Sequence, residues 1–317
     1  MDEKLKARFR DAFAIVEVQP ILKGWSSDRK YRASRADGTH VLLKLSDGGQ
    51  FEAKRNEFEL MQRIAALGVP MCQPIAFGRF GDAVYSVQSW IDGDEAEETI
   101  PRLSQTQQYA YGLQAGEILR IIHTIPAPTG QPEWSLRFNR KIDRKIEGYW
   151  ACGLRIEGDA QMLAYIEANR PLLSGRPQCY QHGDYHIGNM MIDRQGRLQI
   201  IDFNRSDFGD PWEEFIRIVW CAQRSPLFAS GMVEGYFGGE PPELFWRLLA
   251  LYIANNTLGS IYWAIPFGQG EIDVMRRQAQ DVLGWYDHMR RVVPAWYIPK
   301  WNPQAAGGIQ HSARKDT

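Results

Sequence analysis

The sequence predicts an α+β fold of two unequal lobes, a small β-rich one over residues 1–90 and a larger, mainly helical one over residues 91–303. Three observations carry that expectation. Extended apolar runs punctuated by turn residues fill the first ninety positions, with one helical stretch among them. Long helical patterns dominate the rest. The length of 317 residues, at about 150 per domain, suits two domains or one large one with a sizeable core.

Taken in order, residues 20–24 read as a short strand. Residues 29–35 and 40–46 read as a hairpin closed by Ala36-Asp37-Gly38-Thr39. Phe51, Phe58, Met61 and Ala65 recur at helical spacing, which predicts a helix over 50–66 that Gly68 and Pro70 stop. Residues 74–78 and 83–89 are two further strands around Gly81. A linker is expected at 90–93, and the acidic run Asp92, Asp94, Glu95, Glu97 and Glu98 reads as part of a solvated connection. Helices follow at 104–124, 159–170, 212–223, 242–262 and 271–291. Residues 304–317 have little to pack and read as a disordered tail.

Composition excludes several classes. With 37 Lys+Arg against 38 Asp+Glu, the net charge of −1 argues against a nucleic-acid partner. No run approaches about 18 consecutive apolar residues, so no membrane span is expected. The start, MDEKLKARFRDAF, is too polar for a secretory signal. Cys72, Cys152, Cys179 and Cys221 are widely separated and read as reduced thiols rather than a zinc site. These features together predict a cytoplasmic protein.

The segment richest in chemistry is Gln181-His182-Gly183-Asp184-Tyr185-His186-Ile187-Gly188-Asn189. Two short apolar strands, 190–192 and 198–201, follow it and end in Asp202-Phe203-Asn204. The spacing from Asp184 to Asn189 is that of the kinase catalytic loop. Such chemistry needs a carboxylate to accept the attacking hydroxyl's proton, and hard oxygen ligands to hold Mg²⁺ against nucleotide phosphates. Asp184 fits the base; Asn189 and Asp202 fit the metal ligands. Either motif alone could be an ordinary turn or cap, but their ordered combination points to a site.

The first lobe offers a second set. Lys44 interrupts the apolar run Val41-Leu42-Leu43-Lys44-Leu45, a costly place for an unpaired ammonium. A phosphate-binding lysine paired with a helix glutamate would explain it, and Glu57, just before Phe58, can face inward. The alternative is a Lys44 that snorkels out and a solvated Glu57. Gly24-Trp25-Ser26-Ser27-Asp28 occupies the place of a phosphate-covering loop, with the Ser26 and Ser27 hydroxyls as donors, or is an ordinary turn.

These residues resemble the aminoglycoside phosphotransferase family, a branch of the protein-kinase-like fold whose neighbours include choline, fructosamine, homoserine and antibiotic kinases. The resemblance runs from about Pro20 to near Arg291. It implies a two-lobed protein-kinase-like fold and a small-molecule kinase using ATP or GTP with Mg²⁺. It implies that Lys44 binds the α/β-phosphates and Glu57 orients it, and that Ser89 to Ile91 form the hinge reading adenine. Asp184 would be the base with His182 shaping its loop, and Asn189 and Asp202 would hold Mg²⁺. Gly209-Asp210-Pro211 resembles the family's supporting segment after the metal aspartate. His186 receives no chemical role and could be a packed loop histidine.

Asp202 and Asp210 stand only eight positions apart, which leaves little room for a protein-docking loop and favours a small-molecule acceptor. An aminoglycoside-like antibiotic or amino sugar heads the list. Asp207, Glu213 and Glu214 are the candidate carboxylates for a cationic acceptor, although the last two could simply be first-turn acids. A choline-, homoserine- or sugar-type metabolite kinase is the alternative, and a catalytically silent nucleotide-binding scaffold is a third reading. Arg137, Arg140, Lys141, Arg144 and Lys145 read as a helix's wet face or an anion site. The aromatic and amide-rich stretch 255–267 could line a sugar pocket or be core. A monomer or homodimer is expected.

Overall fold

The computed structural model describes residues 3–22 and 28–301. The expected Ser26/Ser27 loop and the 304–317 tail lie outside the described residues. In chain order the elements are helix α1 (Glu3–Phe13), strands β1 (Ile15–Ile21), β2 (Arg29–Arg35) and β3 (His40–Asp47), helix α2 (Phe51–Ala66), and strands β4 (Pro74–Phe80), β5 (Ala83–Ser89) and β6 (Gly93–Glu95). Helices α3 (Ala96–Thr99), α4 (Gln105–Ile122), α5 (Trp134–Ala151) and α6 (Asp159–Asn169) follow. Strands β7 (Cys179–Gln181), β8 (Met190–Asp193), β9 (Leu198–Ile200) and β10 (Asp207–Gly209) come next. Helices α7 (Ile218–Arg224), α8 (Pro226–Phe237), α9 (Glu243–Ala264) and α10 (Gln269–Trp285) complete the fold.

The chain divides into two compact units. The first runs to Ala96 and takes in Asn189–Ser206; the second holds Glu97–Gly188 and the residues from Asp207 onward. In the first, a five-stranded antiparallel sheet has the order β1-β2-β3-β5-β4. The β2–β3 turn closes as its sequence requires. Asp37 Oδ1 accepts from Thr39 N at 2.9 Å and Thr39 Oγ1 at 2.6 Å, while Gly38 takes φ +81°. Alternating residues Tyr31, Ala33, Val41, Leu43, Leu45 and Val87 bury one face of the sheet together with Phe9 of α1.

A second sheet of the first unit, β6-β8-β9, corrects the reading of the acidic run as a linker: Gly93–Glu95 form a strand, although all three residues stay exposed. Gly93, Asp94 and Glu95 pair with Asp193, Ile192 and Met191. Gly93 can pair so closely because a Cβ there would lie 2.1 Å from Ile192 O.

The second unit is helical. Gly112 and Gly116 of α4 face Gly231 and Gly235 of α8, and a Cβ at Gly116 would stand 2.1 Å from Met232 O. The two backbones therefore touch. Ser104 starts α4 with a capping box to Gln107. α5, α6 and α10 pack on α9. By length and composition alone α9 and its continuation to Phe267 are long and apolar enough to cross a membrane, but 72% of the apolar window is buried inside the protein. It is the core helix of this unit. α1, α3, α5 and α8 were not among the expected helices, and the expected 212–223 helix is a 3-10 turn, Glu213–Arg217, leading into α7. The four cysteines are free thiols, and burial pushes Cys72 up to about 11 and Cys221 up to about 12.

Candidate functional site

In the first unit, β3 carries Lys44 inward, where its ammonium lies 3.7 Å from Asp202 Oδ1. Lys30, the cross-strand neighbour of Lys44 on β2, lies 3.9 Å from Asp202 Oδ2. Like charges opposite each other in a sheet repel, so the carboxylate between them is what makes the pair tolerable. Asp202 adopts φ +67°, a left-handed conformation that costs a non-glycine residue of order 1–3 kcal/mol. Its Oδ1 is buried and accepts no hydrogen bond.

Asn189 precedes β8 and Asp202 follows β9, so the hairpin that pairs Met190 with Ile200 folds the two residues together. Ile201 N donates to Asn189 O at 3.1 Å to close it. Among the described residues no group of three or more His, Cys, Asp or Glu could hold a metal ion. A site with one carboxylate and one carboxamide suits a magnesium ion that takes its other ligands from phosphate and water.

The expected Lys44–Glu57 pair is not formed. Glu57 accepts from Lys54 at 3.3 Å, and Lys54 donates to Asp28 at 2.6 Å. The reason is one helical turn: Lys54 precedes Glu57 by three residues on α2 and reaches its carboxylate first. Asp28, Lys44, Ser46, Lys54 and Glu57 nonetheless line one small cavity. Burial alone would raise the Asp28 carboxyl, but its bonds from Lys54 and Ser46 hold it below the ordinary value.

At the expected hinge, Ser89 N donates to Gln73 O at 2.8 Å, and Ser89 Oγ accepts from Gln73 N at 2.8 Å. Ser89 therefore ties down the end of β5. Half-buried Ile91 follows it outside the strand ladder.

In the second unit, His182 is fully buried, and its Nδ1 accepts from Asp184 N at 3.3 Å. Gly183 takes φ +81°, the conformation that lets the chain turn between them, and donates to Glu214 Oε1 at 3.0 Å. Tyr185 is buried and donates to Ala115 O of α4 at 2.7 Å. Ile187 N points to Cys221 Sγ at 3.3 Å. The Asp184 carboxylate itself is partly exposed, 3.1 Å from Arg217 Nε and 3.8 Å from His186 Nε2. The sequence reading missed Arg217, which belongs to no motif, and left His186 without a role.

The candidate cation-binding carboxylates all have partners within the unit. Exposed Asp207 lies 3.4 Å from Arg137. Buried Glu213 accepts from Lys141 at 2.7 Å and Gln181 at 3.1 Å. Burial alone would raise the Glu213 carboxyl, but Lys141 and the neighbouring charge of Lys145 hold it down. Glu214 is occupied by the Gly183 amide, with His123 at 3.8 Å. Asp210 is fully buried in a fork to Arg176, at 2.7 and 2.9 Å, and accepts from Tyr252 at 2.6 Å. Its place is structural, holding Arg176, Tyr252 and the Trp212 amide together. Of the 255–267 stretch, Asn255 and Thr257 are buried core, while Trp263 and Phe267 pack against each other at the surface with their rings tilted by 45°.

A sequence profile described as APH, phosphotransferase enzyme family, matches residues 17–246. No curated protein is significantly similar in sequence. Among solved structures, a thermostable mutant of aminoglycoside phosphotransferase APH(4)-Ia, apo form, aligns over 87% of this chain and 97% of its own, at 16% identity and TM-score 0.63. Amicoumacin kinase hAmiN in complex with AMP-PNP, Ca²⁺ and Ami aligns over 93% and 98%, at 13% identity and TM-score 0.63. ADP-bound aminoglycoside phosphotransferase APH(2'')-Ib aligns over 89% and 99%, at 15% identity and TM-score 0.63. The fold is thus α+β and protein-kinase-like.

Proposed function

The chain belongs to the phosphotransferase enzyme family and is a small-molecule kinase; from that premise we propose that it moves the γ-phosphoryl group of ATP or GTP, with Mg²⁺, onto a hydroxyl of its acceptor. Nucleotide binding itself accords with the ADP and AMP-PNP complexes of the similar structures. In the proposed step the acceptor oxygen forms the new bond to the γ-phosphorus. The bond from that phosphorus to the β,γ-bridging oxygen breaks, and the nucleoside diphosphate leaves. The hydroxyl proton passes to Asp184.

The observation that supports this reading most directly is Asp202. A strained backbone and a buried carboxylate oxygen without a hydrogen bond, 3.7 Å from Lys44, are features a purely structural aspartate would not keep. Asp202 and Asn189 would hold Mg²⁺, which when bound offsets charge on the phosphates. Lys44 would take the α/β-phosphates once they draw it from Asp202. Glu57, with Lys54 and Asp28, would brace the wall beside Lys44. His182 would fix the loop that presents Asp184. Ser26 and Ser27 stay in the proposal as phosphate-loop donors, and Ser89 to Ile91 as the adenine edge.

Hygromycin B and gentamicin are named with two of the similar structures. Those names suggest an aminoglycoside-like acceptor as the first reading to test. The internal pairing of Asp207, Glu213 and Glu214 favours the second, a metabolite kinase. A cytoplasmic monomer or homodimer is the proposed form, in keeping with four free thiols. The test is nucleotide consumption by purified protein across antibiotics, amines and sugars. Tight nucleotide binding with no transfer to any acceptor would favour a silent scaffold instead.

A further inference from the structure

In the second unit Arg217 stands beside Asp184, and Lys141 and Lys145 of α5 lie close enough to Arg217 and Glu213 for their charges to act on one another. Arg217 lies 3.1 Å from Asp184. Lys141, on α5, is paired with Glu213. Lys145, one turn further along α5, has no carboxylate partner among the described residues; its ammonium donates to the neutral Asn256 Oδ1 of α9 at 3.1 Å. The stem of Lys145 runs over Gly259, where a Cβ would come within 2.8 Å of its Cδ. The lack of a side chain at 259 is therefore what seats the lysine. Desolvation first, and then the like charges of Lys141 and Arg217, bring Lys145 down to about 7, against an opposing pull from Glu213. A desolvated ammonium held on a neutral amide is costly unless an anion completes it.

We infer that the acceptor carries an anionic group, a carboxylate or phosphate, which Lys145 and Arg217 bind while its hydroxyl faces Asp184. The same face of the molecule would repel a polycation. This inference rests on the kinase reading above and names the substrate class of the same site. It also resolves the basic stretch 137–145. Arg137 is engaged with Gln178, Phe208 O and Asp207, and Lys141 with Glu213, while Arg140 and Arg144 are exposed, which leaves Lys145 as the half-buried cation for a ligand.

The experiment has two stages, both on the full chain. Titration with ATP or GTP and Mg²⁺ comes first; absence of nucleotide binding would overturn the kinase reading and this inference with it. The nucleotide-loaded protein is then offered matched alcohols: gluconate, glycerate and glucose 6-phosphate; glucose and glycerol; glucosamine and kanamycin. Binding is read by calorimetry and transfer by nucleotide consumption. The inference expects binding or turnover in the anionic arm, with Lys145→Met raising KM or Kd for that compound about tenfold or more. Turnover should change far less than KM, and Lys145→Arg should restore part of the loss. Thermal melting checks that each variant is folded. Binding confined to the neutral or cationic arm would overturn the inference while leaving the kinase reading intact. So would an anionic arm that neither binds nor reacts, or an unchanged KM in folded Lys145→Met.

Discussion

Arg217 Nε and Asp184 Oδ1 stand 3.1 Å apart, so the carboxylate expected to accept the acceptor's proton is already partnered by a guanidinium. That contact holds the side chain in one orientation at the end of a loop whose backbone is fixed by His182 and Glu214. Asp184→Ala should lower turnover by about 10²–10⁴, the usual scale for a general base, with nucleotide affinity largely kept. Nucleotide-consumption kinetics and a parallel nucleotide titration check both halves. Full activity in the variant would remove Asp184 from the mechanism.

Asp202 should behave differently. Asp202→Ala takes away the carboxylate between Lys30 and Lys44 and the proposed metal ligand. Nucleotide affinity in the presence of Mg²⁺ should drop at least about tenfold, approaching the affinity measured with chelator. Calorimetry with and without Mg²⁺ reads this; a variant that keeps its Mg²⁺-dependent gain would contradict the metal role.

Asp210 tests stability rather than chemistry. Removing it leaves Arg176 buried without its fork, and breaking such a pair typically costs about 3–5 kcal/mol. Chemical denaturation of Asp210→Ala should show the loss. A variant as stable as the parent would mean that Tyr252 and Trp212 alone hold this node.

Lys145 gives a pH signature with a definite sign. Its folded value, about 7, lies below that of the free side chain, so between about 7 and 10.4 the unfolded chain binds more protons. Native stability attributable to this group therefore rises with pH across that window, and the full penalty is present below it. The charges facing it are Lys141 on its own helix and Glu213 and Arg217 from the turn before α7, with neutral Asn256 opposite. Lys145→Met should stabilise the protein more at pH 6 than at pH 10, as read from denaturant midpoints at the two values. Equal effects at both would mean that the lysine is solvated.

Much of the fold was readable because local rules and tertiary packing agree. The β2–β3 hairpin follows from alternation and an Asp-Gly turn, and α2 from its apolar stripe. The turn at Gly183 and the placing of Asn189 and Asp202 on either side of one hairpin were readable because their spacing is a backbone requirement. What escaped depends on partners far apart in the chain. Glu57 looks free to meet Lys44 until Lys54 and Asp28 are placed around it. Glu213 looks like a ligand for a cation until α5 delivers Lys141. α5 itself was read only as a basic stretch, because its buried Trp134, Phe138, Ile142 and Tyr149 are spaced among many charges. Arg217 has no sequence signal; only folding brings it to Asp184.

The glycine contact between α4 and α8 bears on all of this. Tyr185, next to Asp184, is anchored on Ala115 O, beside the point where Gly116 meets the α8 backbone. At these glycines the loop's footing is thus main chain against main chain, with no Cβ there to repack. Gly116→Ala should cost about 1–3 kcal/mol, and it should disturb the loop even though it touches no ligand. In hydrogen exchange, amides along this seam should be among the last to trade with solvent, and Gly116→Ala should release them early. Adaptation to a new acceptor would then have to come from the α5 and α9 side chains, because the seam beneath the loop admits almost no variation.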